Sequence, residues 1–111
     1  MSTPLSHREQ LTAEDLRPQN FTVLKVYTEG SHEARRCIQH NDSGEIYLYD
    51  LVEEVDMKHG NDPQYRTYIP VTDVAHADTL ATLSSGALQT MTPRLVDNWF
   101  ADDTRTTQWV L

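Results

Sequence analysis

Between Phe21 and Val71 the apolar positions recur with period two, and after Thr72 the spacing turns helical. Phe21 to Thr28 is rich in β-branched and aromatic residues and predicts a first strand. Phe21, Val23 and Tyr27 share one of its faces, and Leu24 and Val26 the other. That pattern predicts a strand that is central or covered on both sides. The clearest local signal follows at Arg35 to Val55, where two β-prone runs flank Asn41-Asp42-Ser43-Gly44. Asn41 suits the start of a type I turn and Gly44 a position of positive φ. A bulge at Gly44 pairs Ile38 with Leu48 and Arg36 with Asp50. A four-residue loop instead pairs Ile38 with Tyr47, Arg36 with Tyr49 and Arg35 with Asp50. The bulged register is favoured because it joins Ile38, Ile46 and Leu48 on one side.

A further strand is predicted over Gln64 to Val71, with Tyr65, Thr67, Ile69 and Val71 alternating against Arg66, Tyr68 and Pro70. Pro70 has no amide to donate, which predicts an edge strand or a strand end. Upstream, Leu11 to Arg17 carries a helix-start signature: Thr12 as N-cap, Asp15 to close a capping box, Leu11 and Leu16 as a staple, and Pro18 as the stop. Downstream, Val74, Ala77, Leu80 and Ala81 predict a helix capped by Thr72 or Asp73 and stopped near Gly86. Thr92 and Pro93 look like the cap and first residue of another helix, with Leu95, Val96, Trp99 and Phe100 as its apolar stripe. The tail from Thr106 to Leu111 is β-prone.

Strands followed by helices predict an α+β fold. Its antiparallel meander has four strands, five if the tail adds one. A short N-terminal helix precedes it, and two or three C-terminal helices pack on one face. A small SH3-like barrel with appended helices is the alternative. Residues 1–10 read as a flexible arm, 11–103 as a single domain and 104–111 as a C-terminal tail or edge strand.

Composition narrows the function classes. The chain has 111 residues with 9 basic and 17 acidic side chains, net −8, and a mean hydropathy of −0.60. That balance argues against binding nucleic acid or an anionic membrane directly, since both need a basic face. No basic-then-apolar leader opens the chain and no apolar run reaches a membrane span. The single cysteine, Cys37, has no internal disulfide partner, and a reducing, cytoplasmic setting is expected. Protonating all five histidines brings the formal charge from −8 to −3, so association is expected to depend on pH near 6.

Chemistry is thinly signalled. His7, His32, His40, His59 and His76 contain no pair at metal-ligand spacing, and a site from His40, Asp42, His59 and Asp62 has to be assembled by folding. Cys37 and His40, three residues apart on one strand, are separated by roughly 10 Å and lie on opposite faces. Glu53, Glu54, Asp56, Asp102 and Asp103 fall at element ends, where carboxylates are ordinarily solvated. No catalytic residue, metal or cofactor is therefore assigned.

The aromatic residues carry more: Tyr47 and Tyr49 share a strand face, beside arginines, as in protein interfaces. The expected function is a small acidic protein-binding module, an accessory subunit or an inhibitor, leaning away from enzymatic activity. Its partner is another protein or a second copy of the chain. Tyr47, Tyr49, Arg35, Trp109 and Leu111 are the expected partner-binding residues. The alternatives are an acidic nucleic-acid mimic occupying a basic groove, and a small enzyme or ligand binder with a His/Asp site in the loops.

Overall fold

The period-two pattern extends through six strands: β1 (Phe21–Glu29), β2 (Glu33–His40), β3 (Ile46–Glu53), β4 (Gln64–Val71), β5 (Arg94–Trp99) and β6 (Arg105–Val110). The computed structural model describes residues 11, 13–55, 60, 62–100 and 104–111. Each strand pairs antiparallel with its neighbour in sequence, so the sheet runs β1-β2-β3-β4-β5-β6 as an open up-and-down meander. Two short helices, α1 (Val74–Leu80) and α2 (Ser85–Leu88), lie in the connection from β4 to β5. Two 3-10 turns, Ala13–Leu16 and Pro18–Asn20, precede β1.

The helices are too short to stand alone and are held by caps and burial. The Asp73 side chain accepts a hydrogen bond from the His76 backbone N–H, and Ser84 accepts one from Ala87. Ala77, Leu80 and Leu88 then pack on Cys37, Leu48, Ile69 and Val71 from the sheet. Arg35 fastens this layer: Nε donates to Asp50 at 2.8 Å, Nη1 to the Ala81 and Leu83 carbonyls, and Nη2 to Ser85 Oγ. The opposite face has its own cluster of Leu16, Ile38, Tyr47, Tyr68 and Leu95. Both faces of the central strands are therefore buried.

This architecture corrects the expected α+β fold. There are six strands, not four or five; the helices are inserted between β4 and β5, and no C-terminal helical layer exists among the described residues. The barrel alternative fails too, because β1 and β6 are the two edges of an open sheet. The decisive error lies at residues 92–100. Leu95, Val96 and Trp99 fit a helical stripe, yet the segment is β5, in which Leu95 and Asp97 are buried and Arg94, Val96 and Asn98 half-buried. Asp97 disguised the alternation, because a buried charged residue reads as polar surface. Gly86 lies inside α2 and does not stop α1. The predicted N-terminal helix is a 3-10 turn, with Leu16 buried on the sheet as expected; Thr12 lies outside the described residues, as does the arm 1–10.

The hairpin register is also corrected. The four-residue loop is the one adopted: Ile38 pairs with Tyr47, Arg36 with Tyr49 and Arg35 with Asp50. Gly44 has the expected positive φ, 75°. Grouping aliphatics on one side misled because both faces are buried: Cys37 and Leu48 serve the helix face, Ile38 and Tyr47 the other. β1 is an exposed edge strand, not a covered one. Register shifts at Val23/Lys25 and Val26/Thr28 break its alternation, so Phe21 and Tyr27 serve different faces. β4 is interior, and Pro70 lies beyond Tyr68, where its pairing with β5 ends.

Candidate functional site

Sheet pairing places one or two residues from each strand onto a common curved face. Arg36 lies opposite Tyr49, and Tyr49 opposite Tyr68. Arg66 lies opposite Asp97, Asp97 opposite Thr107, and Trp99 opposite Arg105. The N-terminal turns close one side of this face through Leu16 and Pro18, leaving a cup of about 260 Å³. Its apolar wall comes from Leu16, Pro18, Phe21, Val23 and Ile38; Tyr49, Tyr68 and Trp99 add aromatic surface. The remaining lining residues are Arg36, Arg66, Arg105 and Asp97.

The rings form a continuous layer. Phe21 and Tyr68 stack with centroids 6.0 Å apart, and Tyr49 lies 5.1 Å from Tyr68. Two guanidiniums lie over the Trp99 ring, Arg66 at 4.7 Å and Arg105 at 4.2 Å from its centroid. Burial pushes the Tyr49 hydroxyl up despite the nearby arginines, and burial pushes Tyr68 up as well. Both phenols are therefore neutral donors across the physiological range.

The three arginines differ in how they are compensated. Arg36 forms a two-point pair with Glu29, both contacts at 2.7 Å. Arg105 forms another with Asp97, at 2.7 and 2.9 Å. Asp97 accepts two further bonds, from Trp99 Nε1 and Thr107 Oγ1, each at 3.0 Å. Burial alone raises a carboxyl, but these donors and the Arg105 charge hold Asp97 below the ordinary range. Four bonds occupy the usual lone-pair sites of a carboxylate. Among the described residues Arg66 has no such carboxylate partner: Nη2 donates to Gln64 Oε1, the Tyr49 hydroxyl accepts from the guanidinium, and the buried Nη1 has no hydrogen-bond acceptor.

The expected partner-binding residues do not form one surface. Tyr47 is 1% exposed, in the floor beneath the cup, and Tyr49 lines it. Trp109 packs beside the same floor, with a buried indole N–H that has no partner among the described residues. Arg35 lies on the helix face in the network with Asp50, and Leu111 is 68% exposed beyond the end of β6. His40 is buried against Phe21, with Nδ1 3.1 Å from Ser43 Oγ. His59, Asp56, Asp102 and Asp103 lie outside the described residues. Among the described residues no group of three or more His, Cys, Asp or Glu side chains could hold a metal. Cys37 is buried, and burial raises its thiol.

Sequence reasoning missed Arg66, Asp97, Trp99 and Arg105 as a set. One signal was present: Arg66 lies two residues from Tyr68, and Asp97 two from Trp99. In a strand that spacing puts charge and ring on one face. The chain matches no protein-family model, no curated protein and no solved structure. Among the described residues no helix is long and apolar enough to cross a membrane.

Proposed function

We propose that this protein is a small-molecule-binding domain whose ligand occupies the cup on the sheet face between β1 and β6. The cup itself carries this conclusion. It joins apolar and aromatic walls to a few convergent polar groups, the usual composition of a ligand pocket. Its polar side chains are fixed by ion pairs and strand pairing, so little ordering is needed on binding. No acid–base pair stands out as reactive, because Asp97 is fully hydrogen-bonded, and the function is binding instead of turnover. A single unpaired, buried Cys37 suits the cytoplasmic setting assigned from the sequence.

Trp99 provides the readout, since it lines the cup. One- and two-ring fragments should change the tryptophan emission of the wild type, and the response should fall sharply in Trp99→Phe, where Trp109, beside the floor, alone reports. A fragment set that leaves the emission unchanged, or a response undiminished in Trp99→Phe, contradicts ligand binding in the cup.

A protein-binding module is the second reading, favoured by a separate observation. Val23, Leu24 and Val26 are exposed on edge strand β1, whose outer backbone groups have no strand partner among the described residues. Another protein or a second copy could add a strand there. Against it, Lys25 interrupts the apolar run and two register shifts distort the edge, both of which oppose edge-to-edge pairing. An accessory-subunit or inhibitor role ranks second for that reason.

A further inference from the structure

We propose that the cup selects a planar, singly charged organic acid of one or two rings, with its carboxylate on Arg66 and its ring system among Tyr49, Tyr68 and Trp99. This rests on the cup being a ligand site and adds the ligand's chemical class.

Charge sets the sign and the size of the ligand's charge. Arg36, Arg66 and Arg105 face the cup, and Glu29 and Asp97 pair with the first and last of them. Three cations against two carboxylates leave one positive charge, on Arg66. A monoanion neutralises it, whereas a dianionic phosphate monoester leaves a negative charge in a chain that already carries net −8. Asp97 offers a cationic ligand little, because four bonds already use its oxygens.

Among the described residues Arg66 is also the cup arginine that pairs with no carboxylate. Its Nη1 is buried and lacks an acceptor, while Nη2 is held by Gln64 at 2.6 Å and the guanidinium lies over Trp99. A buried donor without a partner is costly and uncommon in a folded protein. That donor has no accessible surface, so a ligand in the cup meets Arg66 through its charge, and the planar guanidinium suits a planar carboxylate.

Size and shape set the rest. About 260 Å³ lies just below the roughly 300–1,000 Å³ of typical ligand pockets, so the ligand is smaller than drug-sized. Phe21, Tyr49, Tyr68 and Trp99 offer ring faces and edges, which favour a flat ring system over a flexible chain.

Isothermal titration of the whole protein with 2-naphthoate and 2-naphthamide, which share shape and differ in charge, tests this. The wild type should bind 2-naphthoate at least about tenfold more tightly, the worth of a charge-assisted bond to a buried guanidinium. Arg66→Gln should bring the ratio of the two affinities close to one. Equal affinities in the wild type, or a ratio unmoved by Arg66→Gln, overturn the organic-acid proposal and leave the ligand cup standing. Binding of neither probe overturns the cup as well. The wild-type comparison alone decides the matter if Arg66→Gln does not fold.

Discussion

Replacing Arg35 by methionine should lower the unfolding free energy by about 3–5 kcal/mol, the range for removing one partner of a buried ion pair. The Arg35 and Asp50 side chains are only 13% and 5% exposed. Methionine keeps much of the volume but leaves the Asp50 carboxylate without its cation. It also removes the donors to the Ala81 and Leu83 carbonyls and to Ser85, which tie the turn between α1 and α2 to the sheet. Urea unfolding should therefore show a much lower midpoint at similar slope. Exchange of amides in 81–88 should accelerate most, since Arg35 holds that turn and α2, whereas α1 keeps Asp78 on Lys25 and Tyr27. Removing the orphaned charge as well, in Arg35→Met with Asp50→Leu, should recover a large part of the loss. A single-variant loss below about 1 kcal/mol would mean that the network is solvated and structurally idle.

Asp97→Asn should cost about 2–4 kcal/mol, less than a fully enclosed pair because the Arg105 side chain is 26% exposed. Asp97 is 1% exposed and accepts four hydrogen bonds on two oxygens. Asparagine offers one acceptor oxygen and turns an amide donor toward the donors of Arg105, Trp99 or Thr107. The pH dependence has a definite sign. Asp97 is held below the ordinary carboxyl value, so its contribution is present above the unfolded value of roughly 3.9 and is lost as pH falls through the lowered folded value. The gap between wild type and Asp97→Asn should thus be constant near neutrality and shrink below about pH 4. A gap that widens in acid contradicts the assignment.

Where the sequence could be read, alternation and turn chemistry carried the reading. β4 was legible from Gln64 to Val71, and Gly44 as a residue of positive φ. Legibility failed where nonlocal pairing decides. Thr92-Pro93 and the Leu95/Val96/Trp99 spacing satisfy local helix rules, but β5 is fixed by strands on both sides of it. The hairpin register failed for a related reason, since a sheet buried on both faces gives no single apolar side to match. The cup was hidden more deeply. Arg66 and Trp99 belong to different strands that meet only through the β4–β5 register, and Arg105 joins them through β6. Net charge −8 also masked the local excess of arginine on this one face.

Amide-resolved NMR with a bound one- or two-ring fragment tests the central claim most directly. The account expects the largest shifts at Arg36, Tyr49, Arg66, Tyr68, Asp97 and Trp99, which converge only across four strands of this sheet. Shifts confined to Val23–Val26 on the β1 edge, with those positions silent, would contradict it and favour a protein-binding edge.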